Sequence, residues 1–270
     1  MLLLKMMKAL LPPILFKTIK SLKLKFFNSN KYGFSGPYAL SSNVDCDDIW
    51  TSNYWIKLSK SKLANSSKKS PNGRTNSQIL ITLINDISIN RVCEILDWGG
   101  GTGDAYFNIQ HFITNKQNVV WNVVDNALLS KLGQEYAKNK NLKIFFSENI
   151  LKEKKIDIFY CNTSFQYIDD YKILFDQLTI KPKFVVLTRL LVARKEKVVM
   201  KQKVNGLNTI CIFHDLSILR NFFKIQGYEI IYDLPNFEEV NFLFQFLPKD
   251  FSSKYGASFS RDIIFKKQTS

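Results

Sequence analysis

The chain has 270 residues, 46% of them hydrophobic, which excludes global disorder and leaves enough apolar side chains for a sizeable core. Its net charge of +15 is uneven, because residues 1–85 hold 13 of the 38 Lys/Arg residues but three of the 23 Asp/Glu residues. The four cysteines form no C-x-x-C pair and there are two histidines, so we predict no metal site.

The amino end predicts a basic amphipathic helix rather than a signal peptide or a membrane span. Lys5 and Lys8 interrupt the first apolar run, and no stretch reaches the ~18 uncharged apolar residues that a span needs. Residues 14–27 place apolar side chains on one helical face and lysines on another. This helix could lie on an anionic membrane or dock on the protein's own core. We predict a cytoplasmic protein, with peripheral contact at the inner membrane face through residues 1–27 as one alternative.

Composition predicts two irregular segments around an aromatic helix in the next part of the chain. Residues 28–45 are rich in Asn, Ser, Gly and Pro and predict a loop. An aromatic stretch with helical spacing follows, at Trp50, Tyr54 and Trp55. Residues 63–75 predict an exposed linker. We therefore divide the chain into a basic N-terminal helical extension and linker, 1–75, and a second domain, 76–270.

Helical and strand patterns alternate through the second domain. Predicted strands cover 92–97, 119–124, 142–146, 156–161, 184–187, 228–232 and 261–266. Predicted helices cover 77–87, 104–114, 127–138, 171–178 and 215–226. This alternation favours an α/β fold, with a mostly parallel seven-stranded sheet and helices on both faces.

Residues 95–104, ILDWGGGTGD, are the most informative part of the sequence. The strand ends at Asp97, and glycines follow at Gly99, Gly100, Gly101 and Gly103. Glycine lets backbone approach a ligand closely, and the next helix offers free N–H groups. The dinucleotide pattern G-x-G-x-x-G does not fit, because its last position would fall on Asp104 or Tyr106. An acid at the strand end suits a nucleoside with an ammonium and a sulfonium, whose positive end Asp97 can face.

Asp125 closes the second strand, 22 residues after Gly103. A carboxylate there can accept hydrogen bonds from both hydroxyls of a ribose, although it could instead cap the following helix. Polar residues beside it and after the next two strands complete the predicted binding set, at Asn126, Ser147, Glu148, Asn162 and Ser164. Each of these could also be an ordinary turn residue.

These residues resemble class I S-adenosylmethionine-dependent methyltransferases. More narrowly, the chain looks like a family of methyltransferases encoded among bacterial surface-polysaccharide genes. The resembling segments are LLPPILFK, YGFSGPY, ILDWGGGTGDAYF, WNVVDN and SFQYI. One departure is Thr188, which precedes Arg189 where the family has an acid. The resemblance implies a Rossmann-like fold, S-adenosyl-L-methionine as cofactor and methyl transfer to a sugar or other small molecule in surface glycan biosynthesis.

An oxygen acceptor would also need a base near the methyl group. The candidates are Tyr167, Asp169, Arg189 and His214, with core packing as the alternative role of Tyr167 and helix capping that of His214. Residues 162–165 lack the two prolines of amino-directed nucleic-acid methyltransferases, so a nucleic-acid partner is disfavoured. Two other functions stay open: a non-catalytic nucleoside-binding protein, and a nucleic-acid methyltransferase that uses the basic N-terminus.

Overall fold

The computed structural model describes residues 32–66, 75–140, 142–150, 155–236, 246–257 and 260–268. The amphipathic helix predicted over residues 14–27, and with it the predicted membrane contact, lie outside the described residues. Within the described part of the chain, no helix is both long and apolar enough to cross a membrane.

Eleven strands and seven α-helices make up the described elements. The strands are β1 (Tyr32–Tyr38), β2 (Cys93–Trp98), β3 (Val119–Val124), β4 (Ile144–Ser147), β5 (Ile158–Asn162), β6 (Phe184–Leu190), β7 (Val192–Ala193), β8 (Val198–Val204), β9 (Leu207–Asp215), β10 (Tyr228–Asn236) and β11 (Ser260–Lys267). The helices are α1 (Asn53–Ser66), α2 (Thr75–Asn90), α3 (Asp104–Ile109), α4 (Ala127–Asn139), α5 (Tyr171–Asp176), α6 (Leu216–Ile225) and α7 (Phe251–Tyr255). Short 3₁₀ turns cover Ser41–Asn43, Ile49–Thr51, Gln110–Phe112, Lys116–Asn118 and Phe165–Tyr167.

The main sheet has seven strands in the order β10-β11-β6-β5-β2-β3-β4. Strands β2 to β6 run parallel to one another, whereas β11 lies antiparallel to both β6 and β10. The predicted α/β fold with a mostly parallel seven-stranded sheet is therefore confirmed. Because the chain places β3 on one side of β2 and β5 on the other, the strand order reverses at β2, which is where ligands bind in open α/β sheets.

Helices cover both faces of this sheet. On one face, apolar residues of α5 and α6 such as Phe175 and Phe223 pack on strand residues such as Phe159. On the other face, Ile84 of α2 and Phe107 of α3 belong to the cluster around Trp121, which is fully buried. Strands buried on both faces read as continuous apolar runs, and that pattern made the central strands predictable from sequence.

A second sheet has the order β1-β8-β9-β7 and was not predicted. Strands β8 and β9 form a hairpin whose turn residues, Asn205 and Gly206, have φ angles of 51° and 90°. The loop predicted over residues 28–45 is wrong in part, because β1 pairs antiparallel with β8. The segment Tyr32–Tyr38 contains glycines and a proline, which are typical of loops. Its hydrogen bonds to β8 nevertheless hold it as a strand. This pairing crosses the boundary expected after residue 75, and the division into two domains remains a prediction.

Two further local expectations need correction. The exposed linker expected over residues 63–75 is wrong at its start, because α1 continues to Ser66 and Leu63 packs in the core. Of the aromatic residues expected on that helix, Trp50 lies instead in the preceding 3₁₀ turn, where its ring contacts the rings of Trp55 and Tyr167. In both cases, packing against apolar partners explains the difference: Leu63 packs in the core, and the Trp50 ring packs on Trp55 and Tyr167.

Gly133 sets how closely α4 packs on β4. A Cβ there would lie 2.3 Å from Cε1 of Phe146 and 2.9 Å from the carbonyl oxygen of Thr102. Alanine is the better helix former by about 1 kcal/mol, but overpacking costs about 1–3 kcal/mol. We predict that Gly133→Ala lowers the free energy of unfolding measured by urea denaturation. Gln134→Ala, an exposed change on the same helix, should alter it by less than about 0.5 kcal/mol. A Gly133→Ala variant as stable as the parent would contradict this packing.

Candidate functional site

The carboxyl ends of β3, β2, β5 and β6 lie side by side. Trp98 is opposite Val124, and Asn162 is opposite Thr188. The loops that follow these strands therefore meet at one edge of the sheet, at the point where the strand order reverses. Most of the residues predicted to bind a ligand lie in these loops.

The glycine segment, residues 99–103, turns sharply between β2 and α3. Gly99, Gly101 and Gly103 have φ angles of 65°, 60° and 84°, values that side-chain-bearing residues rarely adopt. A Cβ built on Gly101 would have no atom of the described residues within 4 Å, so space is open above this position. A Cβ on Gly99 would lie 2.6 Å from Oγ of Ser164, whose hydroxyl donates to the Gly99 carbonyl at 2.9 Å.

Asp125 contacts the glycine segment directly. The Gly101 N–H donates to its Oδ2 at 2.7 Å, while its Oδ1 accepts from the backbone and side-chain amides of Asn126 at 2.7 and 3.1 Å. Burial raises the pKa of Asp125, and the bonds from Asn126 and Gly101 oppose that rise. Since a carboxylate has about four acceptor positions, Oδ2 can accept one more hydrogen bond from a ligand.

Asn126 is the N-cap of α4. Its Oδ1 accepts from the backbone N–H of Leu129 at 3.1 Å. Capping, which was one alternative for Asp125, is therefore performed by its neighbour, and the Asp125 carboxylate faces the glycine segment instead.

Asp97 lies beneath the glycine segment and is 1% exposed. A Cβ on Gly100 would lie 2.5 Å from its Cγ. Trp121 Nε1 donates to Oδ2 at 3.1 Å, whereas Oδ1 is buried without a hydrogen-bond partner among the described residues. Burial raises the pKa of Asp97 to about 7, the Trp121 bond opposes the rise, and the charges of Asp125 and Asp104 add to it.

The ends of β5 and β6 are joined by a polar network. Asn162 Oδ1 accepts from the hydroxyls of Thr188 and Thr163 at 3.0 and 3.1 Å. Thr163 and Arg189 both have left-handed backbone conformations, with φ angles of 64° and 54°. Such residues cost roughly 1–3 kcal/mol each and cluster at functional sites.

Arg189 is held by a residue that the sequence reasoning missed. Its N–H donates to Oδ1 of buried Asp262 at 2.7 Å, and its guanidinium lies 3.4 Å from Oγ1 of Thr163. Asp262 also accepts from Asn236 at 2.9 Å. The signal in the sequence was a carboxylate inside the last strand, directly before its apolar residues Ile263, Ile264 and Phe265.

Ser147 ends β4, and Glu148 follows it, at the outer side of the same edge. The Ser147 carbonyl accepts from the Asp125 N–H at 3.1 Å, and its hydroxyl donates to the Asn149 carbonyl at 2.9 Å. Glu148 is exposed to solvent. The structure thus brings Ser147 next to Asp125 and leaves Glu148 further out.

Of two further candidate bases, His214 is buried in the core, whereas Tyr167 is partly buried against it. The hydroxyl of Tyr167 donates to Gln202 at 3.0 Å, and burial raises its pKa. His214 is 1% exposed, and burial lowers its pKa to about 4. Its Nε2 lies 3.0 Å from the Phe165 carbonyl and must carry the proton, since a carbonyl only accepts. The helix cap next to His214 is Asp215, which accepts from the Ser217 N–H at 2.8 Å.

The third candidate base, Asp169, lies in a surface ion pair. Its carboxylate accepts from Lys197 and from the Ser41 hydroxyl, and the Lys197 bond is the largest cause of its lowered pKa. Asp169 is exposed, and these contacts keep it charged.

Comparisons with known proteins identify the fold. No protein-family model and no curated protein matches the chain. Among solved structures, magnesium protoporphyrin IX methyltransferase from Synechocystis PCC 6803 with bound S-adenosylhomocysteine is 10% identical, with a TM-score of 0.51 over 82% of this chain and 100% of that one. This likeness, with the strand order above, shows a Rossmann-like class I methyltransferase fold.

Two other similar structures have lower scores. The 1,6-didemethyltoxoflavin-N1-methyltransferase of Burkholderia thailandensis is 10% identical, with a TM-score of 0.44 over 87% of this chain and 100% of that one. The mitomycin 7-O-methyltransferase is 11% identical, with a TM-score of 0.43 over 73% of this chain. The match covers 54% of that enzyme, so this chain spans about half its length.

Asp97→Asn tests the buried carboxyl, because Asn matches the shape of its protonated form. The folded-state pKa of about 7 exceeds the ordinary value of 3.8, so the folded chain holds this proton more tightly. The stability contributed by this group is present below pH 4 and lost as pH rises through 7. We predict that the stability of Asp97→Asn relative to the parent, measured by urea denaturation, increases from pH 5 to pH 8. The exposed change Gln134→Ala, which removes no titratable group, should show no such trend, and a pH-independent difference for Asp97→Asn would contradict the assignment.

Proposed function

We propose that this protein is an S-adenosylmethionine-dependent methyltransferase that binds its cofactor across the glycine segment and Asp125. One observation carries the proposal: the 2.7 Å hydrogen bond from Gly101 to Asp125. This bond joins a glycine-rich turn to a carboxylate that suits ribose hydroxyls, and both follow neighbouring strands. The shared fold with an enzyme crystallised with S-adenosylhomocysteine supports the same choice of ligand.

The residues present suit this cofactor. The space above Gly101 can take a ligand against the backbone, and Oδ2 of Asp125 has acceptor capacity left. Beneath the segment, the buried Oδ1 of Asp97 has no hydrogen-bond partner among the described residues. A cation above the segment would favour the ionised form of Asp97 in this low-dielectric setting. The proposed binding residues are Asp97, Gly99, Gly100, Gly101, Gly103, Asp125, Asn126, Ser147, Glu148, Asn162 and Ser164.

When bound, S-adenosylmethionine supplies an electrophilic methyl group. The chain's own contribution is to align an acceptor, and such alignment is worth about 7–11 kcal/mol at best. The amide of Asn162, the hydroxyl of Thr163 and the guanidinium of Arg189 form a polar group at the ends of β5 and β6. These groups suit an acceptor with several hydroxyls, and together with the family resemblance they support a sugar or small molecule of surface glycan biosynthesis.

Of the four candidate bases, Asp169 lies in a surface ion pair, and none of the other three is a strong base at neutral pH. His214 is neutral there but has a pKa near 4, and the hydroxyl of Tyr167 has a raised pKa. The guanidinium of Arg189 stays protonated and would hold an anionic group rather than remove a proton. We therefore propose that this edge of the sheet positions the acceptor rather than supplies a catalytic base.

Gly101→Val tests the cofactor site, because a side chain there would fill the space in which the ligand should lie. We predict that calorimetry shows at least a tenfold loss of affinity for S-adenosylhomocysteine. Asp125→Ala should cause a similar loss, since a hydrogen bond to a charged group contributes about 1.5–3 kcal/mol.

Gly206→Val is the matched control for Gly101→Val. Gly206 also has a positive φ angle and no atom of the described residues near a built Cβ, but it lies in the β8–β9 turn. The Gly206→Val variant should bind S-adenosylhomocysteine like the parent, and undiminished binding by Gly101→Val would refute the site.

Turnover assays separate the alternative functions. A parent that binds the cofactor but methylates no sugar or small molecule would favour a binding protein. Methylation of RNA or DNA with salt-dependent affinity would favour the nucleic-acid alternative.

A further inference from the structure

A cavity of about 300 Å³ opens between the start of α6 and the end of the main sheet. Three of its five lining residues are arginines, and the lining consists of Arg194, Leu216, Ser217, Arg220 and Arg261. The function proposed above assigns no role to this cavity. Like charges repel, so guanidinium groups that lie close together are stabilised by anions between them.

The charges of the described residues around the cavity do not balance. Asp233 is shared by two arginines, with Arg261 Nε donating to its Oδ1 at 2.5 Å and Arg220 donating to its Oδ2. Arg194 has no ion-pair partner within the described part of the chain. Asp215 lies beside Ser217 but accepts three hydrogen bonds as the cap of α6. Among the described residues, one carboxylate, Asp233, is thus shared by two arginines, and Arg194 is left without an ion pair.

The arginines are partly positioned in advance. The Arg261 side chain is 11% exposed and also donates to the Asp233 carbonyl at 3.2 Å, which holds its plane in place. A guanidinium has five N–H donors, so Arg220 and Arg261 keep donors beyond those that Asp233 accepts. The planar donor pattern of arginine matches oxyanions, which it binds through paired hydrogen bonds.

The cavity lies at the same edge of the sheet as the proposed cofactor site. Arg261 is opposite Leu190 on β6, and Thr188 on β6 is opposite Asn162 on β5. Two strand spacings of about 4.8 Å therefore separate the Arg261 backbone from β5. Arg194 follows β7, which continues the chain from β6.

We propose that this cavity binds a phosphate group or a similar oxyanion. Its volume is at the lower end for ligand sites, which suits one such group with a small attached moiety. The group could belong to the methyl acceptor or to free phosphate. Only the first source rests on the proposed function.

The test is calorimetric titration with inorganic phosphate. We expect saturable binding by the parent, weakened about tenfold or more in Arg194→Gln and in Arg220→Gln. Lys224→Gln removes the same charge from an exposed position of α6 outside the cavity and should change affinity less than about twofold. No saturable binding by the parent, or equal losses in Lys224→Gln and Arg194→Gln, would overturn the proposal. Circular dichroism of each variant checks that the fold is retained.

Glucose 1-phosphate distinguishes the two sources. Tighter binding of the sugar phosphate than of inorganic phosphate, strengthened by S-adenosylhomocysteine, identifies the group as part of the acceptor. Equal affinities, unaffected by S-adenosylhomocysteine, identify a free-anion site. Phosphate binding by a protein that does not bind S-adenosylhomocysteine would refute the proposed methyltransferase function and leave the oxyanion site standing.

Discussion

The hydrogen bond between the Gly101 backbone and the Asp125 carboxylate is the contact on which the proposed function depends. It follows from strand register, because Trp98 at the end of β2 lies opposite Val124 at the end of β3. The turn that leaves one strand must then meet the first residue after the other. Any sequence that builds this pair of parallel strands places these two loops together, and glycine makes the approach close enough for a bond.

This edge of the sheet contains costly features that the rest of the fold must offset. Asp97 is buried with one oxygen unpaired among the described residues, and Thr163 and Arg189 adopt left-handed conformations. Each costs on the order of 1–3 kcal/mol. The two hydrophobic clusters on either face of the sheet supply the compensating stability. Concentration of such costs at one edge is typical of a binding site and unusual for a surface with no ligand.

The central strands were predictable and the second sheet was not, for a physical reason. The strand predicted over residues 119–124 has the same bounds in the structure, because its burial leaves an apolar run that only Asn122 interrupts. β1 contains two glycines and a proline and exists through its pairing with β8, whose partner residues are 161 to 172 positions further along the chain. The conformations of Thr163 and Arg189 carry no sequence signal, since non-glycine residues rarely adopt positive φ angles.

The unpredicted sheet shapes the region where an acceptor would bind. Gln202 of β8 accepts from the Tyr167 hydroxyl, and His214 of β9 bonds to the Phe165 carbonyl, so both strands hold the turn that follows β5. Arg194 follows β7 of the same sheet and lines the cavity proposed to bind an oxyanion. The proposed cofactor half of the site thus depends on motifs close together in the sequence, whereas the proposed acceptor half depends on long-range pairing. That division explains why the sequence pointed to a cofactor and left the acceptor open.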